Sequence, residues 1–211
     1  MRHWHGSDHS GEDHVATDRR KAILEGAARL IARRGVRGLR MEELAAEAGV
    51  STALIYYYFK DRAGTLRHTL EFISDRAERY TSDEDFTADP HDARHELEQS
   101  LLLEFQDTPE VRENSTAWGE LRASAIFEPD LRGDLAGATL TWIHEVAALL
   151  GRISPTAAAP ALTASAERLT GLLEGLSTRW LSGALPLPHA HRLVREAVSV
   201  EIRHLDRQED A

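Results

Sequence analysis

Two histidine spacings could hold a metal. His144-Glu145 opens like HExxH, in which imidazoles one helical turn apart grip zinc and the glutamate acts as base. Position 148 is alanine, so the second ligand is missing and that reading fails. His91 and His95 in HDARH stand at i,i+4, a spacing that lets imidazoles share an ion and equally suits a solvated helix face. His3, His5, His9 and His14 cluster among Gly, Ser and acids, where adventitious metal binding is the ordinary outcome. His189 and His191 offer a weaker pair. Asn114-Ser115-Thr116 matches a glycosylation sequon, without consequence in a cytosolic chain. There is no cysteine, which excludes disulfides, thiolate zinc sites and cysteine nucleophiles. No GxSxG, P-loop or dinucleotide fingerprint occurs, nor an acid/base pair with local context. Neither an enzyme nor a cofactor is expected.

A different chemistry fits Met41–Leu66, MEELAAEAGVSTALIYYYFKDRAGTL. Residues 41–48 read as a short helix packing through Leu44, Ala45 and Ala48. Gly49 is the turn, Val50 plugs the corner, and Ser51 caps a third helix over about 52–58. Two helices around a glycine turn make a helix-turn-helix, whose second helix enters the major groove N-terminus first. Short Thr52 and Ala53 let the backbone approach; the Thr hydroxyl can bond either base type, and both methyls suit thymine. Tyrosine hydroxyls can reach phosphate oxygens, with Lys60 and Arg62 supplying charge. Ile55, Tyr56 and Phe59 include the inward positions; Tyr57 and Tyr58 are left mainly outward. At 100° per residue three consecutive tyrosines cannot all face one core.

The elements around this stretch position it. Residues 1–16 show no apolar period and read as a disordered arm. A helix runs from Asp18, with Ile23, Leu24, Ala27, Leu30 and Ile31 at 3–4 spacing, to Gly35 as a left-handed C′ residue. From Asp61 to about Thr81 a longer helix carries Leu66, Leu70 and Ile73 on one face. The acidic SDEDFTADP over 82–90 reads as a loop. Five further helices are expected at about 91–106, 109–127, 129–152, 160–183 and 189–207, giving an all-α chain of about nine helices. The domains follow as an arm (1–16), a helix-turn-helix domain (17–66) and a helical body (67–208).

Charge divides the same way. The net charge of -10 speaks against nucleic acid. Yet residues 15–70 hold 11 Lys and Arg against 6 Asp and Glu, while residues 71–211 hold 13 against 26. A basic head on an acidic body leaves only the head to face phosphate. The start MRHWHGSDHSGEDH lacks an apolar targeting core, and no stretch approaches the roughly 18 apolar residues of a membrane span. A soluble, cytoplasmic protein with no membrane partner is expected.

GVSTALIYYYFKDRAGTL, with the preceding GLRMEELAAEAGV and the helix ending at Gly35, resembles the signature of the TetR family of bacterial transcription regulators. The match spans about residues 18–66 through linked positions: Gly49, Val50, Ser51, Tyr56, Phe59 and Leu66. LLEGLSTRWLSGAL looks like the family's penultimate helix. By position, the resemblance implies base or sugar-edge contacts for Thr52, Ala53 and Tyr57, and phosphate contacts for Tyr56 and Tyr58. Arg62 stands where a lysine usually begins the fourth helix and holds a phosphate. Arg40 replaces a hydroxyl cap and could itself reach phosphate. With Ser51 and Lys60 these form the expected DNA set. The resemblance also implies an Ω-shaped homodimer that represses from a palindromic double-stranded operator and is released by a small effector. An activator, or a helical small-molecule binder without a DNA role, are the alternatives.

Two further sets belong to the body. Phe105, Trp118, Arg122, Phe127, Trp142, His144 and Glu145 supply the aromatic walls and few polar groups of a small-molecule pocket, and form a pool of candidates. The last two helices carry an apolar excess, and the resemblance implies a four-helix dimer interface through Leu169, Leu173, Leu176, Trp180, Val194, Val198 and Ile202.

Overall fold

The computed structural model describes residues 9–81 and 90–209. Among them the chain forms nine α-helices, two short 3-10 turns and no strand. The head comprises α1 (His9–Arg34), α2 (Met41–Ala48), α3 (Thr52–Phe59) and the start of α4 (Arg62–Thr81). The body adds α5 (Pro90–Leu103), α6 (Pro109–Ala125), α7 (Arg132–Ile153), α8 (Ala159–Leu181) and α9 (Leu187–Glu209).

Helix α1 starts at His9, so the second half of the expected disordered arm is helical. Residues 1–8 lie outside the described residues, as do 82–89 of the expected acidic loop. The extension is held by a contact that periodicity does not show: the Tyr58 hydroxyl donates to the Ala16 carbonyl at 3.2 Å. Gly35 has positive φ (73°) but extended ψ (168°), so it opens the 3-10 turn Val36–Gly38 rather than closing α1 in the left-handed helical region. Gly49 does adopt that region (φ 66°, ψ 34°). Thr108 Oγ1 accepts from Val111 N–H at 3.3 Å, and Pro109 follows, a capped start of α6.

Two apolar clusters result. The first joins α1 to α4 through Ile23, Leu44, Ile55, Phe59, Leu66, Leu70 and Ile73. It also contains Ala117, Leu121 and Ala125, so α6 of the body completes the core of the head. The second joins α5, α7, α8 and α9, with the Phe105 and Trp180 rings 6.0 Å apart. Leu169, Leu173, Leu176, Trp180, Val194, Val198 and Ile202, expected at a dimer interface, are all buried in this second cluster within one chain. Most of the apolar width of α8 and α9 is consumed by α5, α7 and each other, while Leu172 and Val200 stay exposed.

Charged pairs fix α2 against α1. Arg29 Nε donates to Glu47 Oε1 at 2.9 Å and Arg33 Nη2 to Glu47 Oε2 at 2.7 Å; Arg34 pairs with Glu43. Hydrogen bonds from Arg29 and then Arg33 hold the Glu47 carboxyl below its usual range. A carboxyl whose pKa is lower folded than unfolded contributes stability that is fully present above the unfolded pKa and is lost as pH falls through the folded one. Glu47→Gln should therefore cost about 1 kcal/mol or less at neutral pH, since the pair is partly solvated. The difference from wild type should vanish in acid below the lowered pKa, as read by thermal unfolding across pH. A deficit that persists there would assign the loss to packing.

Candidate nucleic-acid interface and internal cavity

Ser51 Oγ accepts from Leu54 N–H at 3.2 Å, so α3 starts where its sequence cap places it. Ile55 and Phe59 are buried beneath it. The outward side carries Ala53, Tyr56 (47% exposed) and Tyr57 (79% exposed), with Thr52 half-buried at the first turn. The assignments of two tyrosines change. Tyr56, expected to face inward, is exposed. Tyr58, expected outward, is half-buried, packs edge-on to Tyr57 at 5.3 Å, and commits its hydroxyl to Ala16. The phosphate role implied for Tyr58 therefore lacks an uncommitted donor.

Lys60 closes α3 with φ 67°, a conformation costly for a side chain with a Cβ, and stands exposed. The chain must turn sharply here because α4 presses onto the end of α3. A Cβ on Gly64 would meet the Phe59 carbonyl oxygen at 2.0 Å. Asp61 Oδ1 accepts from Gly64 N–H at 2.6 Å and caps α4. Arg40, at the N-cap of α2, makes no side-chain cap bond and is exposed. Arg62 is not free at the surface. Nη1 donates to Glu128 at 3.1 and 3.3 Å, and Nη2 to the Val36 carbonyl at 2.7 Å. Arg29, Arg33 and Arg34 of the head are likewise engaged in place, by Glu47 and Glu43. Exposed Tyr56, Tyr57, Lys60 and Arg40, with Thr52 and Ala53 at the helix start, remain to meet a duplex.

The body holds a cavity of about 530 Å³. Of the expected pool it is lined by Phe105, Trp118, Trp142 and Glu145, and not by Arg122, Phe127 or His144. Phe127 lies 70% exposed under Arg37, whose guanidinium is 5.5 Å from its ring centroid. His144 is exposed on α7. Arg122 sits behind the wall, 5.5 Å over the Trp118 ring and ion-paired with Glu174. Burial pushes the Glu174 carboxyl up and lowers the Arg122 guanidinium, each partly offset by the other.

Further lining residues escaped the sequence reading, among them Asn114, Ser115, Glu96, Glu104, Leu149, Arg152 and Glu174. The signal for some was helical: Trp142, Glu145, Leu149 and Arg152 follow one face of α7 at 3–4 spacing. Asn114 is buried, accepts from Arg76 Nε at 2.8 Å and donates to the Ile73 carbonyl at 3.2 Å, tying α6 to α4 at the cavity wall. Ser115 Oγ is buried with no hydrogen-bond partner among the described residues.

No group of three or more potential metal ligands occurs among the described residues. The His91 side chain lies outside them, so the His91/His95 pair cannot be placed. His191 is structural: Nε2 lies 2.8 Å from the Phe105 carbonyl, to which it donates. No helix among the described residues is long and apolar enough to cross a membrane.

A capped recognition helix with an outward polar and aromatic face, on a head whose core is closed by the body, defines a helix-turn-helix DNA-binding protein. Comparisons narrow the class. Residues 23–68 match the family of bacterial regulatory proteins, tetR family, and residues 93–203 match the BetI-type transcriptional repressor C-terminal domain. A TetR-family regulator from Rhodococcus sp. has a similar structure, with 41% identity, TM-score 0.79, and coverage of 88% of this chain and 99% of that one. The transcriptional regulator BetI of Agrobacterium fabrum is 27% identical over 187 residues, 88% of each chain. A regulator from Saccharomonospora viridis, solved in complex with choline, shares the fold at 23% identity, TM-score 0.70, covering 87% of this chain and 96% of that one. The chain belongs to the TetR family and is a DNA-binding transcriptional regulator. Its relatives are regulators, a role without catalysis.

Replacing Lys60 by Gln should lower the salt dependence of DNA binding by about one unit of log K against log[salt] per head. Anisotropy titrations at several salt concentrations measure it, and an unchanged slope would remove Lys60 from the phosphate contacts.

Proposed function

We propose that the protein is a homodimeric repressor, acting in the cytoplasm, that leaves a palindromic operator when an organic cation fills the body cavity. The composition of that cavity carries the reading. Phe105, Trp118 and Trp142 bring three aromatic rings to the lining, and a ring that turns its face to a cation attracts it by about 0.5–2 kcal/mol. Glu96, Glu104, Glu145 and Glu174 line the same space, against Arg152 in the lining and Arg122 behind it, so carboxylates exceed guanidiniums by two. The buried Ser115 hydroxyl supplies one position for a polar group on the ligand. The choline bound by the Saccharomonospora viridis regulator is a quaternary ammonium, which agrees with this chemistry.

Repression then follows from geometry. Two heads must reach successive major-groove faces about 34–36 Å apart or more. A ligand that binds better to a different head spacing weakens operator binding, typically by about 1–3 kcal/mol or 5–150-fold. Calorimetry with choline and its uncharged isostere 3,3-dimethylbutanol tests the cation preference; equal binding of the two would sink it. Trp142→Ala should weaken choline binding about 5–30-fold, the loss of one desolvated cation–π contact, with helicity unchanged by circular dichroism.

The pairing surface is the outer side of α8 and α9, not their buried stripe. Leu172 is 38% exposed and Val200 50% exposed there, and a Cβ on Gly171 or Gly175 would meet nothing within 4 Å, leaving room for a second backbone. Leu172→Glu should give a monomer by light scattering with normal helicity and greatly weakened operator binding. A dimer that survives the charge would move the interface elsewhere.

A further inference from the structure

Arg62 opens α4, two residues beyond Lys60, yet its guanidinium is occupied inside the protein. Nη1 meets both carboxylate oxygens of Glu128, the residue before the Pro129–Leu131 turn that links α6 to α7. Nη2 meets the Val36 carbonyl in the turn between α1 and α2 at 2.7 Å. One planar group thus ties three segments: the start of α4, the α1–α2 turn and the end of α6. The surroundings reinforce the knot. Glu120 of α6 takes the Val36 N–H at 3.4 Å, so α6 grips that turn through its amide while Arg62 holds its carbonyl. Arg37 of the turn covers Phe127. Arg132 donates to the Ala125 and Ile126 carbonyls, both at 2.9 Å, and closes the end of α6 just before Glu128.

We infer that Arg62 is a positioning residue and not a phosphate ligand: with Glu128 it locks the DNA head at a fixed angle to α6. A phosphate that took Nη1 and Nη2 would have to displace a charge-assisted pair and a backbone acceptor together. Both side chains are only about a third exposed, 38% and 30%, so water compensates them incompletely. Lys60 carries no such commitment among the described residues and stands exposed. The same α6 presents Asn114, Ser115 and Trp118 to the cavity. A shift of α6 on cavity filling therefore reaches Arg62 along one rigid helix; this last step rests on the proposed cation site, whereas the positioning role does not.

The test uses full-length protein and a duplex selected from a random library by the wild type. Arg62→Ala, Arg62→Lys, Glu128→Gln and the Arg62→Ala/Glu128→Gln double variant are titrated by anisotropy across a salt series, with circular dichroism to confirm folding. A positioning role predicts that each single variant binds several-fold more weakly, with the wild-type salt slope. The double variant should be no worse than either single, because both remove one unit. Lys should fail like Ala, since a point charge cannot span Glu128 and the Val36 carbonyl as the planar fork does. Three results would overturn the inference. One is a salt slope lower by about one per head in Arg62→Ala, with Lys behaving as wild type. Another is wild-type or tighter binding by Glu128→Gln, and the third is additive losses in the double variant. None of these arms requires a cavity ligand, so a cavity that fails to bind cations would leave the positioning role of Arg62 untouched.

Discussion

Helix α6 has to satisfy two cores at once, and the architecture depends on that. Ala117, Leu121 and Ala125 close the apolar core of the head, while Asn114, Ser115 and Trp118 wall the body cavity. A head of α1, two eight-residue helices and the start of α4 buries too little apolar surface to be rigid alone; small domains are marginal for that reason. Borrowing a face of α6 supplies the missing surface. It also means that the head cannot reorient without moving a wall of the cavity. Close-packed interiors transmit such displacements because they do not deform continuously.

Polar contacts set the angle that apolar packing leaves loose. Arg76 meets Glu113 at 3.1 Å and Asn114 at 2.8 Å, so α4 and α6 are bound beside the cavity. Glu120 and the Arg62–Glu128 pair bind them again beside the α1–α2 turn. Inside the head, Glu47 takes Arg29 and Arg33 and seats α2 on α1. These pairs are partly solvated, so their value lies less in net stability than in geometry. The recognition helix inherits its orientation from all of them, with Gly64 allowing α4 to press against the Phe59 carbonyl.

Much of the fold was legible because it is local. The helical periods, the Ser51 cap and the turn at Gly49 lie within a few residues of what they control; the cap and the turn stand where the sequence implied, while α1 starts at His9 rather than Asp18. Apolar stripes named the buried residues, Tyr56 excepted, but not their partners. Leu169, Leu173, Trp180 and Val198 form a strong stripe, and a stripe is silent on whether the chain itself or a second copy covers it. Here the chain covers it. In the cavity, Phe105, Trp118, Trp142 and Glu145 were found because aromatic walls with a few polar groups suggest a pocket. Phe127 and His144 have the same composition but face elsewhere.

The sequence by itself determined an all-α chain, a helix-turn-helix over about residues 41–58 and a short list of side chains able to touch DNA. Capping, turn conformation and period are short-range physics, and one strand of sequence contains all of it. Only the tertiary structure decided which donors on that list are already in use. Arg62 and Tyr58 have the right chemistry for phosphate, but their partners Glu128 and Ala16 lie 66 and 42 residues away. A hydrogen bond made across such a distance leaves no periodic mark in the sequence. The charge of the basic head could thus be counted from its residues, while its availability to DNA was set by what folded against it.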